Sequence, residues 1–313
     1  MKYPLIASKV ATEVWSLRPE VFNSICNAVF HDARLDVPVI APATVADSPE
    51  DDAIDIAQIK IIPVHGVIGK HLSRFEMMCG GCSVDRIAAE LKAAQDDSNV
   101  EKIVLHFHTP GGMVMGGREL WQTIVEVASV KPVIGYADGD CCSMGLYFAT
   151  ACNPFYVSPS SRIGSIGCYT LSIDETEALK NEGVKVNAMV SGKFKLAGAP
   201  FKELTDEERG MVQARVDKIG ADFRGLVSER WPDVPKDNMQ GQVFTGEEWT
   251  AMGGSDGLAN DMEELVEIIG GNPGDYFRIS PSRMEEEERR RERGFDFKRN
   301  EKGEITGMTE KED

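Results

Sequence analysis

One serine, Ser143, stands where its hydroxyl could act as a nucleophile. It follows the strand-like stretch Pro132–Ala137 and precedes the apolar, helix-like run Met144–Ala149. A hydroxyl at the beginning of a buried helix lies beside backbone N–H groups that favour a developing negative charge. The pattern therefore predicts a nucleophile whose oxyanion can be bound by main-chain donors.

A base and further donors are available elsewhere in the chain. Gly111 and Gly112 close an upstream strand with a turn able to present bare N–H groups, and Ser191–Lys195 offers an amine downstream. A lysine accepts a proton only if its pKa falls from about 10.4 to about 7–8, a change of about 4 kcal/mol that burial can supply. Lys195 adjoins the apolar run Leu196–Pro200, which favours burial. This chemistry requires no metal and no cofactor.

Other side chains offer competing chemistry. His106 and His108 alternate on one strand and so share a face, and His108 adjoins the Gly-Gly turn, which leaves a Ser-His pair open. Cys142 is a rival nucleophile, but no histidine near it in sequence is placed to activate it. Cys79 and Cys82 have the spacing of a redox motif. Without a second pair or nearby histidines, we interpret them as small apolar residues of a glycine-rich loop.

Composition narrows the classes of function. The 313 residues carry a net charge of −17, with 42% hydrophobic and 27% charged residues, which is typical of a globular protein. An acidic chain is a poor partner for nucleic acid, because phosphate contacts need a basic surface. No run reaches the roughly 18 apolar residues of a membrane span, and residues 1–6 lack the apolar core of a secretory signal. Seven cysteines, an odd number, suit reduced thiols. We therefore expect a cytoplasmic protein with no nucleic-acid and no membrane partner.

The chain divides into four parts by composition. Residues 1–32 have apolar residues at helical intervals and predict an N-terminal helical arm, and the proline-rich residues 33–57 predict a linker. Residues 58–270 form the predicted core. Residues 271–313 are a charged tail, for which disorder is expected. Within it, Met284–Arg293 has almost no apolar face and is predicted to be a solvated helix or disordered.

Within the core, strand-like and helix-like segments alternate, which predicts an α/β fold with a parallel sheet. Pro63 is expected to break Gln58–Ile68 into a strand pair, and Ser83 to cap a helix that extends to Ala94. The other predicted strands are Lys102–His108, Pro132–Ala137, Phe155–Val157 and Val184–Val190. The other predicted helices are Gly116–Val130, Ser143–Cys152, Ser172–Glu182 and Asp206–Trp231.

These residues lead to a family. The chain resembles the signal peptide peptidase A family of serine–lysine proteases, and within it the lambda-type capsid assembly (head maturation) proteases of bacteriophages. The likeness covers about residues 58–270 and lies in four ordered segments: Thr109–Val114, Cys142–Gly145, Ser161–Gly167 and Ser191–Lys195. The chain departs from the family at Cys141, Cys142 and Met144, where relatives carry smaller or more polar residues. It also lacks the membrane anchor of the cellular enzymes, which favours the phage branch.

The resemblance implies a role for each matching position. It selects Lys195 over Lys193, because the family's base is the lysine three residues after the motif glycine. Carried over in full, the roles are nucleophile Ser143, general base Lys195, lysine-orienting residue Ser165, and oxyanion-hole residues Gly111, Gly112 and Met144.

The resemblance also implies a fold and an activity. The fold is Clp-protease/crotonase-like, with stacked βα units, and assembles into ring- or dome-shaped homo-oligomers in which serine and lysine come from one chain or from two. The activity is that of a serine endopeptidase that cleaves phage scaffold, portal or capsid proteins in the prohead. Three alternatives stay open: a host cytosolic peptidase of the same family, an acyl-CoA hydratase or isomerase on the same fold, and an inactive shell component.

Overall fold

In a computed structural model of the chain, residues 14–18, 21–22, 54–56, 58–78, 80–271, 295–299 and 305–310 are described. Their strands are β1 Trp15–Leu17, β2 Ile54–Ile56, β3 Ile59–His65, β4 Val67–Gly69, β5 Gly81–Ser83, β6 Lys102–Thr109, β7 Gly111–Met113, β8 Val133–Cys142, β9 Phe155–Val157, β10 Arg162–Gly164, β11 Val243–Thr245, β12 Gly257–Leu258, β13 Phe295–Arg299 and β14 Ile305–Glu310. The helices are α1 Arg74–Met78, α2 Val84–Asp96, α3 Gly117–Ala128, α4 Met144–Ala149, α5 Thr176–Asn181, α6 Asp206–Arg230, α7 Gly246–Ala251 and α8 Met262–Ile268.

The larger sheet has a parallel centre. Its order is β11-β10-β8-β6-β3-β2, and β9 pairs with β8 and then with β12. Strands β3, β6, β8 and β10 are parallel, while β2 and β11 run antiparallel at the two ends of this order. The predicted α/β class with a parallel sheet is confirmed.

Helices cover both faces of this sheet, because its strands alternate between two apolar clusters. Ile103, Leu105 and Phe107 of β6 face a cluster that also includes residues of α2, α3, α4, α6 and α7. Val104, between them, faces a second cluster that includes Leu265 of α8.

A smaller sheet lies where two central strands end. Strand β3 continues through Gly66 into β4, and strand β6 continues through Pro110 into β7. Strands β4, β5 and β7 are parallel, and β1 adds antiparallel to β7, so the order is β1-β7-β4-β5. The Gly-Gly turn predicted to present N–H groups is therefore itself a strand, β7, with neighbours on both edges.

The capping residues explain where several helices begin. The Ser83 side chain accepts a hydrogen bond from the Arg86 backbone N–H, which confirms the predicted cap of α2. Thr205 and Glu208 form a reciprocal capping box at the start of α6, in which each side chain binds the other residue's backbone N–H.

Three predictions outside the core need correction. Trp15–Leu17, placed in a helical arm, is a strand, because its main chain pairs with β7. Ile54–Ile56, placed in the linker, pairs with β3. Phe295–Arg299 and Ile305–Glu310, placed in a tail expected to be disordered, form an antiparallel pair. The remaining arm, linker and tail predictions lie mostly outside the described residues.

Three predictions inside the core also need correction. Pro63 does not break its strand: β3 runs through it and turns only at Gly66, because β2 pairs with no residue beyond Ile61 and the missing proline N–H disrupts no ladder on that side. Val184–Val190 is not a strand but an exposed, irregular segment. The helix predicted for Ser172–Glu182 is shorter, Thr176–Asn181.

Within the part of the chain that the structure describes, no helix combines the length and apolar character that a membrane crossing requires. In the same ranges, no set of three or more His, Cys, Asp or Glu side chains is arranged to hold a metal ion.

Candidate active site

Ser143 lies at a strained turn between β8 and α4. Its backbone has φ 54° and ψ −115°, a conformation that residues other than glycine rarely adopt. Its N–H donates to the Gly164 carbonyl at 2.8 Å, and the residue is 1% exposed. Strand β8 before the turn and helix α4 after it fix its backbone, and the Ser143 side chain lies in a buried position.

The Gly-Gly strand approaches Ser143 so closely that side chains are excluded. A Cβ atom on Gly111, whose φ is 101°, would lie 2.8 Å from the Ser143 Cβ atom. A Cβ atom on Gly112 would lie 2.1 Å from the Ile68 carbonyl oxygen. Both glycines are therefore needed for contact between β7, its neighbours and the serine turn.

The backbone donors of the two glycines differ. The Gly111 N–H donates to Thr109 Oγ1 at 3.1 Å, and that hydroxyl donates to the Gly66 carbonyl at 2.6 Å. Gly111 thus shapes the turn while its N–H is engaged. Gly112 and Met144, the first residue of α4, are the remaining candidate oxyanion donors, because the first N–H groups of a helix have no intrahelical acceptor.

Ser165 lies directly after the residue that binds the Ser143 backbone. Gly164 pairs with Cys142 across β10 and β8, and Ser165 follows with φ 54° and 6% exposure. Its N–H donates to the Gln242 carbonyl at 2.6 Å. The sequence-predicted nucleophile and lysine-orienting serine are therefore brought to adjacent strand ends.

A buried carboxylate stands close to the same turn. Asp140 of β8, with a side chain 2% exposed, accepts from Arg162 Nε at 2.5 Å and from Arg162 Nη2 at 2.9 Å. Arg18 Nη1 lies 3.4 Å from Asp140 Oδ2, the oxygen that Arg162 Nη2 also contacts. Two guanidinium groups therefore compensate the buried charge and connect β8, β10 and the residue that follows β1.

The Ser143 hydroxyl contacts a residue that the sequence did not indicate. Ser16 Oγ lies 2.5 Å from Ser143 Oγ and donates to the Gly167 carbonyl at 2.8 Å. A hydroxyl has one hydrogen to donate, so the Ser143 hydroxyl is the donor in the contact between the two serines.

Lys195 lies on a turn-rich, exposed segment. Its backbone N–H donates to the Gly192 carbonyl at 3.1 Å, and the residue is exposed, as are Lys193 and Phe194. Among the described residues of this one chain, no hydrogen bond joins the Lys195 amine to the Ser143 hydroxyl. The serine–lysine pair therefore stays a prediction.

A cavity of about 310 Å³ adjoins the serine contact. Ser16 and Gly167 line it at one side, and Met144, Tyr147 and Phe223 contribute an apolar wall. Three charged residues, Arg118, Glu119 and Asp222, also line it.

The competing chemistry has other partners. His106 Nε2 lies 2.8 Å from Asp138 Oδ1, and His108 Nδ1 accepts from the Asp140 backbone N–H at 3.3 Å. The Cys142 thiol is directed to the Arg162 carbonyl at 3.3 Å. Burial raises the pKa of the Cys82 thiol to about 12, which makes it a poor nucleophile, while Cys79 lies outside the described residues.

Three residues of the site escaped sequence reasoning. Thr109 belongs to one of the four ordered segments, but its hydroxyl can bind the Gly66 carbonyl and the Gly111 N–H only because the fold brings Gly66 near. Asp140 offered a signal, since a carboxylate directly before the apolar pair Cys141-Cys142 is expected to be paired if it is buried. Ser16 offered none, because its position depends on a pairing across more than a hundred residues.

Comparisons with known proteins show which families have similar sequences. Residues 126–265 match the model of peptidase family S49. The chain is 30% identical over 257 residues to the capsid assembly protease C of Escherichia phage lambda, which covers 79% of this chain and 58% of that protein. It is 30% identical over 210 residues to the head-tail preconnector protein GP5 of Enterobacteria phage P21, and the match covers 66% of this chain and 42% of that protein.

A cellular relative is also similar. Protease 4 of Salmonella typhi is 29% identical over 192 residues, which is 60% of this chain and 31% of that protein. The chain thus spans less than two thirds of the length of each of these three relatives. The family match includes the serine turn and the lysine segment, and the phage relatives extend the similarity over most of the chain. The chain is therefore similar to the serine peptidases of family S49 over residues 126–265.

Proposed function

We propose that this protein, which matches peptidase family S49 over residues 126–265, is a serine endopeptidase that uses Ser143 as nucleophile and Lys195 as general base. The observation that carries the proposal is the strained, buried turn of Ser143 against Gly111. A backbone conformation that costs free energy is retained where function requires it. Here it places the serine beside the strand whose Gly112 N–H is a candidate oxyanion donor.

The position of Lys195 supports an assembled enzyme. An exposed amine stays protonated at neutral pH, so a lysine base needs a shielded environment. The segment of residues 171–211, which includes Lys195 and the beginning of α6, exposes many apolar side chains, of which Met189 is 97% exposed. The set comprises Leu171, Ile173, Val184, Val186, Met189, Val190, Phe194 and Met211. Such a concentration on one segment is typical of an interface.

We therefore propose that copies of this chain associate through that segment, as in the ring- or dome-shaped assemblies of Clp-protease/crotonase-like folds. Association would bury the Lys195 amine beside a Ser143 hydroxyl of the same or a neighbouring subunit. Ser165, next to the serine turn, would accept a hydrogen from the amine and hold it in place.

The reaction then follows from the groups present. Ser143 Oγ attacks the scissile carbonyl carbon while Lys195 takes the hydroxyl proton, and the oxyanion is bound by the Gly112 and Met144 N–H groups. Each such donor contributes about 3 kcal/mol. The protonated amine passes its proton to the leaving nitrogen, which leaves an acyl ester on Ser143. Water, deprotonated by the same amine, hydrolyses the ester and restores both groups.

The substrates we propose are scaffold, portal or capsid proteins of a phage head, cleaved in the host cytoplasm or inside the prohead. Two of the relatives carry phage-head names, capsid assembly protease and head-tail preconnector protein, which supports this class of substrate. The apolar wall of the cavity beside Met144 would contact a small or apolar side chain of the substrate.

Co-expression with candidate head proteins tests the proposal. Ser143→Ala and Lys195→Ala are each expected to abolish cleavage, as read by mass spectrometry of the head proteins. Lys193→Ala is the matched control, since Lys193 is two residues away and its amine pairs with Glu207 at 2.6 Å. Cleavage retained by either of the first two variants would exclude the serine–lysine pair.

A fluorophosphonate probe separates the protease from other members of the fold. Labelling that Ser143→Ala removes would support an activated serine. An acyl-CoA hydratase, an isomerase or an inactive shell component has no need of one. Cleavage of generic unfolded peptides but of no head protein would instead favour the host peptidase.

A further inference from the structure

The segment Val14–Arg18, which we call the N-terminal strand segment, lies in the site as an added strand. It runs antiparallel to β7, with Trp15 opposite Met113, Ser16 opposite Gly112, and Leu17 opposite Gly111. The Val114 N–H donates to the Val14 carbonyl at 3.1 Å, and the Arg18 N–H donates to the Pro110 carbonyl at 3.0 Å.

Its other edge is also paired. The Trp15 N–H donates to the Tyr169 carbonyl at 2.8 Å, and the Tyr169 N–H donates to the Trp15 carbonyl at 2.9 Å. The main chain of the segment is therefore held between two backbones, which is how enzymes and binding domains hold an extended peptide.

The register places Ser16 at the reacting position. In an antiparallel ladder every second residue forms a hydrogen-bonded pair, and the flanking bonds at Val14 and Arg18 fix the phase. Ser16 and Gly112 are then such a pair, so the Gly112 N–H, one of the candidate oxyanion donors, faces the Ser16 carbonyl. A substrate carbonyl cannot use this donor while the segment is in place.

The Ser16 side chain engages the nucleophile as well. Its oxygen receives the hydrogen of Ser143 Oγ at 2.5 Å, because its own hydrogen goes to the Gly167 carbonyl. The hydrogen that a base must remove is therefore bound to Ser16. Neighbouring side chains anchor the segment, since Trp15 and Leu17 are buried in an apolar cluster with Met113 and Arg18 pairs with Asp140.

We infer that the N-terminal strand segment is an intramolecular inhibitor that occupies the peptide groove in place of substrate. The inference rests on the proposed function, since it concerns the same serine. A substrate polypeptide in extended conformation must displace the segment from β7 and Tyr169 before Ser143 can attack. Residence of the segment for nine-tenths of the time would lower the reaction rate about tenfold.

Variants that weaken the segment test this inference. Ser16→Pro removes the N–H that pairs with Gly112, and Leu17→Asp places a charge in the apolar cluster. Both are expected to raise the rate of fluorophosphonate labelling of Ser143, and of peptide hydrolysis, about tenfold over wild type. Leu258→Asp is the matched control, because Leu258 is 38% exposed on β12 and its substitution should leave the rate unchanged.

A peptide added in trans makes the test independent of damage to the fold. A synthetic peptide with the sequence of residues 12–20 should slow Ser16→Pro back toward the wild-type rate. The same peptide carrying proline at the position of Ser16 should not. Thermal unfolding of each variant, followed by circular dichroism, establishes that the compared proteins are folded.

The outcomes separate this inference from the proposed function. Equal labelling of wild type and both folded variants would overturn the inhibitor and leave the protease standing. Intact mass spectrometry could show that wild type loses residues 1–16 while Ser143→Ala keeps them. That result would mean that the N-terminal strand segment is a substrate of the enzyme rather than an inhibitor. Absence of labelling and hydrolysis in every variant would overturn the proposed nucleophile, and the inhibitor with it.

Discussion

Gly111 approaches Ser143 so closely that a Cβ atom on the glycine would lie 2.8 Å from the serine Cβ atom. The φ of Gly111, 101°, adds a second reason for glycine, since a side chain there is strained even where space allows. The pair links the strand that carries one candidate oxyanion donor, Gly112, to the turn that carries the nucleophile.

Gly111→Ala is therefore expected to move this strand or the serine turn and to lower activity at least about 100-fold, since small misplacements of reacting groups have effects of this size. Activity is measured by cleavage of a head protein or by fluorophosphonate labelling. Gly210→Ala is the control, because a Cβ atom there meets no atom within 4 Å on an exposed turn of α6. Full activity of Gly111→Ala would contradict the assigned geometry.

The pH dependence of cleavage should report the lysine base. Activity is expected to rise with pH through an apparent pKa well below the ordinary lysine value of about 10.4, because only the neutral amine accepts the serine proton. Lys195→Arg should be inactive across the range, since a guanidinium stays protonated. A flat profile between about pH 6 and 9 would count against a titrating lysine.

Asp140 is expected to matter for stability. Asp140→Asn removes the buried charge that two guanidinium groups share and should lower the free energy of unfolding by about 2 kcal/mol, as measured with urea. Glu177→Gln is a matched exposed control, because its pair with Lys180 has side chains 77% and 75% exposed, and it should change stability by less than about 1 kcal/mol. Equal effects of the two substitutions would refute the role given to Asp140.

Glu208 should make stability depend on pH at acid values. Hydrogen bonds from Lys202 and from the Thr205 backbone hold the pKa of Glu208 below its ordinary value, against a smaller effect of burial. A carboxylate with a lowered folded-state pKa stabilises the protein above the unfolded-state pKa, and this stabilisation is lost as pH falls through the folded value.

Glu208→Gln is therefore expected to be less stable than wild type at neutral pH, with the difference shrinking as pH falls below about 4. Thermal unfolding at several pH values measures this. Glu229→Gln, exposed on the same helix, is the control and should show no such trend. A difference that persists unchanged at low pH would mean that the charge of Glu208 is not responsible.

Much of the fold could be predicted locally. Apolar residues alternate along β6, and Ser83 stands where a cap must stand, so both elements formed as predicted. The failures share a cause. Trp15–Leu17 has a helix-like pattern, but its backbone is paired by a strand about a hundred residues away. Val184–Val190 contains three β-branched valines, which favour a strand. Within the described chain, however, no strand pairs with this segment, and it is exposed and irregular.

The sequence by itself determined which residues could do chemistry: a serine between a strand and an apolar helix, a glycine pair, and a lysine in an ordered set of motifs. These are properties of neighbouring residues, and neighbours are fixed by the chain. Only the tertiary structure decided that the Gly111 N–H donates to Thr109 and is not free for an oxyanion. It also decided that Asp140 pairs with Arg18 and Arg162, and that the Ser143 hydroxyl donates its hydrogen to Ser16. Such relations depend on distances between segments far apart in the chain, which no local pattern encodes.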